Sequence, residues 1–338
     1  MSVAPETDVP PAMRLGQRSL GGRSYVLPEH RIMFISVAKN ACTSVKWLLA
    51  DLAGENPERF RRTFAMVSDP ADTIHQRQLW EHIEKYDVDD PGRIAQIHPD
   101  NGWFVFGLVR DPHARLFSAW QSKFLNHDPW YARYRDESFY PALPASTEDV
   151  RRSFADFVHW LADNPEHKIS TSDTHFQAQS GLLQSWRVNY SRIYNVREVG
   201  VLLEDLRAHL ATVGREQELV LPRDNSTPLR AHRFLFAEGV RELVDERFAA
   251  DLAEFGSMFD FERDVPDTDP GWSSEVFRGI GATASAYEQI AFLTRDRARL
   301  DKERQRLAAE LEAHRTADHS GREMIRALAG KVGRRLGR

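Results

Sequence analysis

Two short segments carry the kinds of residue that bind phosphate or sulfate. In the first, Lys39 precedes a run of small side chains that includes two hydroxyls: Asn40, Ala41, Cys42, Thr43 and Ser44. Amide N–H groups at the start of a helix have no partners within that helix and bind anions. The segment therefore predicts an anion-binding loop, with Lys46 one turn further on as a secondary contact. The GxxxxGK[ST] glycines are absent, and an ordinary strand-to-helix turn is the alternative for this segment alone.

The second segment places Arg110 before Asp111 and Pro112, with Ser118 eight positions after the arginine. A guanidinium binds a phosphate through two parallel N–H groups. Asp111 suits a helix N-cap and Pro112 the first helical position, and eight residues make just over two turns, which brings Ser118 near the side of Arg110. The segment predicts a second anion site. Taken singly, an Arg110–Asp111 pair and a serine at a helix contact are the alternatives.

Each segment follows a short, nearly continuous apolar run of the kind that forms a strand covered on both faces. The runs are residues 31–37 (RIMFISV) and 103–109 (WFVFGLV), and helical spacing follows each of them. A third strand is predicted over 192–196, with a helix over 199–210. This alternation predicts an α/β fold, a P-loop-like three-layer domain with a mainly parallel sheet flanked by helices. Both segments then begin at the carboxyl ends of parallel strands and face one cleft.

A nucleotide with anionic groups at both its 5′ and 3′ positions needs two anion sites, and 3′-phosphoadenosine 5′-phosphosulfate (PAPS) has this charge layout. The segments also resemble those of sulfotransferase family 2, the Golgi carbohydrate sulfotransferases and their bacterial relatives. Residues 35–46 (ISVAKNACTSVK) are similar to the family's 5′-phosphosulfate-binding segment. Residues 106–120 (FGLVRDPHARLFSAW) are similar to its 3′-phosphate-binding segment, whose phosphate ligands correspond to Arg110 and Ser118. The resemblance covers roughly residues 31–261, most of the chain.

The resemblance implies that a sulfuryl group moves from PAPS to a hydroxyl of a carbohydrate or glycoconjugate, such as a saccharide or a glycolipid. By analogy with phosphoryl transfer, we expect an in-line displacement at sulfur, which the protein assists by alignment and charge neutralisation. Lys39 neutralises the charge that grows on the leaving 5′-phosphate, while the amides of residues 41–44 hold it. No metal ion is implied, because the sequence has no spacing typical of metal ligands.

Transfer also requires a base that removes the proton of the acceptor hydroxyl, and histidine suits this task near neutral pH. His98 and His82 are candidates because they precede the second predicted strand, and His175 is a third because it lies in a family-like segment. Spacing decides among none of them, since the chain contains 13 histidines. A glutamate or an aspartate is the alternative.

Composition limits the partners and the domain organisation. The chain has 338 residues, a formal net charge of −5 and one cysteine, so no overall charge favours nucleic acid and no intrachain disulfide can form. We predict a flexible segment over 1–24, a PAPS-dependent sulfotransferase domain over 25–265, a linker over 266–284 and a helical extension over 285–338. The sequence shows no apolar leader or membrane span, and we expect a cytoplasmic protein.

The predicted C-terminal extension is rich in Ala, Glu, Arg and Leu, and Leu293, Leu300 and Leu307 recur at a seven-residue spacing. Arg297 and Arg304 lie between them, where a coiled coil needs apolar residues. The end of the chain combines an apolar face with several arginines, as an interfacial helix does. The extension therefore predicts self-association or peripheral contact with a membrane, with a solvated tail as the alternative.

Two other functions fit the same architecture. The first is a nucleotide kinase or NTPase, against which the missing phosphate-loop glycines count. The second is a noncatalytic interaction protein with a vestigial nucleotide cleft, against which the presence of Lys39, Arg110 and Ser118 counts. The stretch 126–149 predicts a long loop whose aromatic residues either stack on a sugar or pack against the protein body.

Overall fold

The computed structural model describes residues 20, 22–61, 70–84, 90–222 and 227–336. Four strands form one sheet and follow each other in chain order: β1 (Ser24–Leu27), β2 (Ile32–Ile35), β3 (Phe104–Val109) and β4 (Arg192–Asn195). The first pair is antiparallel, whereas β2–β3 and β3–β4 are parallel. Helices cover both faces of the sheet, so the predicted α/β class with a mainly parallel sheet is confirmed.

The strands form because their side chains are apolar on both sides, and every residue of β1, β2 and β3 is buried. On one face, Phe34 and Phe106 stack with 5.0 Å between ring centroids. On the other face, Met33 and Val105 belong to a separate apolar cluster, as alternation along a strand requires. The strand β1 is not predicted from the sequence.

The helices of the described ranges differ widely in length. The α-helices are α1 (Cys42–Leu52), α2 (Pro57–Arg61), α3 (Pro91–Gln96), α4 (Pro112–Trp120), α5 (Thr147–Asp163), α6 (Lys168–Ser172), α7 (Gln179–Leu183), α8 (Val199–Thr212), α9 (Val240–Arg247), α10 (Ala249–Phe255), α11 (Phe261–Asp264) and α12 (Ser274–Leu336). Short 3₁₀ turns cover Pro28–His30, Pro70–His75, Arg77–Leu79, Pro99–Asn101, Pro129–Tyr134, Val196–Glu198, Arg233–Phe236 and Gly256–Met258, and one π-turn covers Gln121–Leu125.

A glycine on the central strand lets one of these helices lie directly on the sheet. A Cβ atom added to Gly107 would meet Leu183 Cδ2 at 2.6 Å, which is closer than real contacts allow. The absence of a side chain on β3 therefore makes room for α7. Gln179, the first residue of α7, reaches the ends of the parallel strands in this way, as its contacts below show.

The aromatic stretch 126–149 contains one 3₁₀ turn and packs mainly against the protein body. Tyr131 and Phe139 are buried, and their ring centroids lie 5.2 and 5.1 Å from that of Phe124. Trp130 is the exception, with 56% of its surface exposed. The packing alternative therefore applies to Tyr131 and Phe139, and Trp130 is the aromatic residue of these three that a sugar could reach.

The chain divides into two compact units, Met1–Tyr287 and Glu288–Arg338. The last helix begins at Ser274, so the predicted linker over 266–284 is partly helical. Most of the predicted flexible segment 1–24 lies outside the described residues. In the second unit, Leu293, Leu300 and Leu307 each expose more than half of their surface, and the self-association of this helix stays a prediction. Among the described helices, none has the length and apolarity that a bilayer crossing requires.

Candidate functional site

The loops that follow β2 and β3 leave the same edge of the sheet and are tied together. Asn40 Nδ2 donates hydrogen bonds to the Leu108 carbonyl at 2.8 Å and to Gln179 Oε1 at 2.7 Å. Arg110 Nη1 donates to the Lys39 carbonyl at 3.3 Å. The lysine-bearing and arginine-bearing segments therefore meet at one edge, as expected for neighbouring parallel strands. Through its side chain, the predicted ligand Asn40 joins the loops.

Gln179 holds this junction from the side of α7. Its Oε1 accepts from the Arg110 amide at 3.0 Å as well as from Asn40, and its Nε2 donates to the Arg110 carbonyl at 2.9 Å and to Asp251 Oδ2 at 3.1 Å. An amide side chain has two acceptor and two donor positions, and all four are used here. Asp251 is itself buried and also accepts from the Ser180 amide at 2.8 Å. The Gln179 amide is thus fully hydrogen-bonded, whereas Asn40 Oδ1 is a buried acceptor without a hydrogen-bond partner in the described residues.

The Lys39 loop has an unusual backbone conformation. Lys39 and Ala41 have φ angles of 69° and 55°, in the left-handed region that non-glycine residues rarely adopt. Such strain concentrates at functional sites. Ala41 is the N-cap of α1 and supplies no side-chain hydrogen bond, which leaves the amides of the first turn without a side-chain cap. Cys42, Thr43 and Ser44 form the first turn of this 11-residue helix and are buried. The predicted phosphate-binding run therefore ends in the start of a helix.

The Lys39 ammonium makes no hydrogen bond or ion pair with the residues that the structure describes. Burial first, and then the charge of Lys123, lower the pKa of Lys39 from 10.5 to about 8. Both effects disfavour the charged amine, and the opposing effects of Cys42 and Asp72 are smaller. An anionic ligand beside the ammonium would offset the effects of burial and of Lys123 on the pKa, as expected for a lysine that binds an anion.

A cavity of about 310 Å³ lies beside Arg110, and two further arginines line it. Its lining residues are Arg110, Asp111, Ala114, Asn195, Val196, Arg197, Arg230, Ala231 and Asp264. Arg197 forms an ion pair with Asp264, and burial lowers the pKa of Arg110. Ser118 is buried on α4 and does not line the cavity, so its role as a phosphate ligand stays a prediction. Arg197 and Arg230 lie far from Arg110 along the chain, and no motif in the sequence points to them.

Two of the histidines proposed as the base have local structural contacts. His98 Nδ1 accepts from the Asp100 amide at 3.0 Å and thereby caps a short 3₁₀ turn. His82 Nδ1 lies 3.6 Å from Glu55 Oε1. Within the described ranges, no hydrogen bond or ion pair joins either ring to the Lys39 loop. The geometry therefore does not favour them, and their catalytic role stays a prediction without structural support.

The third histidine, His175, is held by a carboxylate and a phenol. His175 Nδ1 lies 2.8 Å from Asp173 Oδ1, and the Tyr131 hydroxyl donates to Asp173 Oδ2 at 2.5 Å. Burial alone raises the pKa of Asp173, but the hydrogen bonds from His175 and Tyr131 lower it to about 2. Burial and Lys123 lower the pKa of His175, while Asp173 opposes this shift. Asp173 accepts a hydrogen bond from the Nδ1–H group of the neutral ring. The other ring nitrogen, Nε2, then carries no proton and can accept one.

Arg115 connects the Lys39 loop with the segment that contains His175. Its fully buried guanidinium donates to the Ala38 carbonyl at 3.1 Å, the Gln177 carbonyl at 2.8 Å and the Thr174 carbonyl at 2.9 Å. Ala38 directly precedes Lys39, and Thr174 directly precedes His175. Sequence reasoning misses this role, although Arg115 lies five positions after Arg110. The clamp fixes the lysine loop relative to the histidine segment.

Replacing Arg115 by methionine should lower the free energy of unfolding by about 3 kcal/mol, because buried carbonyls that lose a charged donor are costly to leave unpaired. Urea denaturation of the purified protein measures this change. Arg278→Met is the matched control, since the Arg278 side chain is 74% exposed and its loss should leave the midpoint unchanged. Equal midpoints for Arg115→Met and the unmodified protein would contradict the structural role of the clamp.

The chain is thus an α/β protein in which a lysine-bearing and an arginine-bearing loop meet at one edge of the sheet. The model of the sulfotransferase family matches residues 23–256, and the chain belongs to this family. No group of three or more potential metal ligands occurs in the described residues.

Curated relatives are carbohydrate sulfotransferases. Human carbohydrate sulfotransferase 9 is 27% identical over 59% of this chain and 43% of its own length. Xenopus laevis carbohydrate sulfotransferase 10 is 28% identical over 44% of this chain and 40% of its own length, and human carbohydrate sulfotransferase 8 is 25% identical over 60% and 45%. The chain thus spans less than half the length of these relatives. No solved structure matches it.

Proposed function

We propose that the chain transfers a sulfuryl group from PAPS to a hydroxyl of a carbohydrate or glycoconjugate acceptor. The observation that carries the proposal is the joined pair of cationic loops, in which Arg110 donates directly to the carbonyl of Lys39. A single ligand with an anionic group at each end can engage both loops. Membership of the sulfotransferase family supports the reaction, and the names of the relatives support a carbohydrate acceptor.

In this proposal the two ends of PAPS have separate sites. The 5′-phosphosulfate binds at the start of α1, where uncapped amides and the Lys39 ammonium supply donors and charge. The 3′-phosphate binds beside Arg110, in the cavity that Arg197 and Arg230 also line. A nucleotide without the 3′-phosphate leaves the arginine cavity unpaired and binds more weakly. The site then distinguishes PAPS from simpler adenine nucleotides.

The reaction is an in-line displacement at sulfur. The acceptor oxygen forms a bond to sulfur while the bond from sulfur to the 5′-phosphate oxygen breaks, and its electron pair stays on the phosphate. The products are the sulfate ester and adenosine 3′,5′-bisphosphate. Lys39 stabilises the charge on the leaving phosphate, and His175 Nε2 takes the hydroxyl proton and later releases it to solvent. Asp173 stabilises the imidazolium that forms.

A binding and transfer experiment tests the proposed function. Adenosine 3′,5′-bisphosphate should bind in calorimetry without magnesium, and ³⁵S-labelled PAPS should transfer label to a saccharide in a panel of polysaccharides and glycolipids. Magnesium-dependent binding of ATP without binding of the bisphosphate would instead support a kinase or NTPase. Binding of the bisphosphate without transfer to any hydroxyl would support a noncatalytic protein.

Arg110→Ala should weaken the binding of adenosine 3′,5′-bisphosphate by about 1.5–3 kcal/mol, roughly tenfold to a hundredfold, because a charge-assisted contact to phosphate is lost. Adenosine 5′-monophosphate lacks the 3′-phosphate, and its affinity should change little. Calorimetry with both ligands measures the difference, and Arg278→Ala serves as the exposed arginine control. Unchanged affinity for the bisphosphate would remove Arg110 from the 3′-phosphate site.

A further inference from the structure

Three polar side chains form a hydrogen-bonded chain that ends in the first turn of α1. The Lys46 ammonium lies 2.7 Å from His75 Nδ1, and His75 Nε2 lies 3.0 Å from Thr43 Oγ1. Lys46 is 95% buried, packs over the ring of Tyr25 and extends from the same helix as Thr43. His75 comes from a 3₁₀ turn 32 residues away from Thr43. The motif that predicts the anion site gives no sign of this histidine.

The hydrogen bonds that join Lys46, His75 and Thr43 have one direction of donation. An ammonium group has donors and no acceptor, so His75 Nδ1 must accept from Lys46. Its Nε2 then carries the proton of the neutral ring and donates to Thr43 Oγ1. Since the threonine oxygen accepts from the ring, its own hydroxyl proton points away from His75. The order of donation therefore runs from Lys46 through His75 to Thr43.

The surroundings keep the ring in the neutral form that this direction requires. Enclosure by protein and then the charge of Lys46 lower the pKa of His75 well below 6.5, and further cations add to the effect. About a third of the side chain remains exposed. The charged or titratable groups that act on the ring are Lys46, Lys123, His175, Lys39 and Asp72, whose carboxylate is 3.7 Å from Nε2.

We propose that His75 is a positioning residue for the 5′ end of the donor, because it orients Thr43 so that the hydroxyl donates to the 5′-phosphate. This inference rests on the proposed function and adds to it a residue that never touches the reacting atoms. Lys46 acts on Thr43 through its hydrogen bond to His75. This role explains why a lysine in the predicted phosphate-binding segment is buried. The three side chains together make the 5′ subsite selective for an acceptor of hydrogen bonds, as a phosphate oxygen is.

The test compares three ligands that separate the two ends of the nucleotide: adenosine 3′,5′-bisphosphate, adenosine 5′-monophosphate and adenosine 3′-monophosphate. His75→Ala should weaken the first two by about tenfold, the size expected for one hydrogen bond to a charged group, and leave the third unchanged. His75→Gln should restore affinity, because an amide can accept from Lys46 and donate to Thr43. Calorimetry supplies the affinities, and thermal unfolding confirms that each variant is folded.

A double-mutant cycle with Thr43→Val tests whether the histidine acts through the threonine. The double variant should bind adenosine 5′-monophosphate as weakly as Thr43→Val alone, because the two side chains form one unit. Additive losses, or equal losses for all three ligands, would overturn the inference and indicate a general structural role. His159→Ala, at an exposed position on α5, is the matched control. If the unmodified protein binds none of the ligands, the proposed function itself fails, which is a different result from normal binding by His75→Ala.

Discussion

Lys39→Ala should lower the rate of sulfuryl transfer by about 10²- to 10³-fold, the size expected when a group that stabilises developing charge is removed. The leaving 5′-phosphate gains negative charge as its bond to sulfur breaks and keeps that charge in the product, so Lys39→Ala should lower both the rate of transfer and the affinity for adenosine 3′,5′-bisphosphate. Initial rates with labelled PAPS and calorimetry with the bisphosphate measure the two effects. Lys302→Ala, at an exposed position on α12, is the control.

The pH dependence of binding gives a second measurement on Lys39. Its pKa of about 8 means that the ammonium is charged below pH 8 and loses its charge above that value. Binding of an anion favours the charged form, so bisphosphate affinity should decline as the pH rises through 8. In Lys39→Ala this part of the pH dependence should vanish.

A rate of transfer by Lys39→Ala within threefold of the rate of the unmodified protein would remove Lys39 from the mechanism.

His175→Ala should lower the rate of transfer by about 10²- to 10⁴-fold, the usual contribution of a positioned base, while bisphosphate affinity stays the same. The pKa of His175 is lowered below 6.5, and only the neutral ring accepts a proton. The rate of the unmodified protein should therefore be level near pH 7 and fall at a pH below 6.5. Initial rates between pH 4.5 and 8 measure this profile, within the range where thermal unfolding shows a folded protein.

Two further variants complete the test of the base. Asp173→Asn should also lower the rate, because the ring loses the carboxylate that holds Nδ1 and stabilises the imidazolium. His159→Ala is again the exposed control. A large loss of rate in His98→Ala or His82→Ala, with normal transfer by His175→Ala, would contradict the role of His175 and favour one of the other two candidate histidines.

The parts of the site that follow from local sequence were predictable. Strands β2, β3 and β4 and the helices α1, α4 and α8 follow from apolar runs and helical spacing, and the two anion segments lie between them. Their meeting at one edge follows from the parallel pairing of β2 and β3. These predictions succeed because strand, loop and helix are consecutive in the chain, so short-range patterns determine them.

The contacts that complete the site join distant parts of the chain. Thr43 and His75 are 32 residues apart, Tyr131 and Asp173 are 42 apart, and Asn40 and Gln179 are 139 apart. No periodicity links such positions, and a single histidine among thirteen gives no signal of its partners. The sequence places Asp173 two residues before His175, but only the folded chain shows this pair beside Tyr131.

The saturated amide of Gln179 restrains the two loops that we propose bind the nucleotide. Any displacement of either loop away from the other would leave part of this amide without a partner in a dry environment, at a cost of about 1–3 kcal/mol per group. The conformational entropy of this junction is therefore lost during folding rather than on ligand binding. The junction is therefore rigid before any ligand binds, and adjustment to the proposed nucleotide falls to side chains such as that of Lys39, which makes no hydrogen bond or ion pair with the described residues.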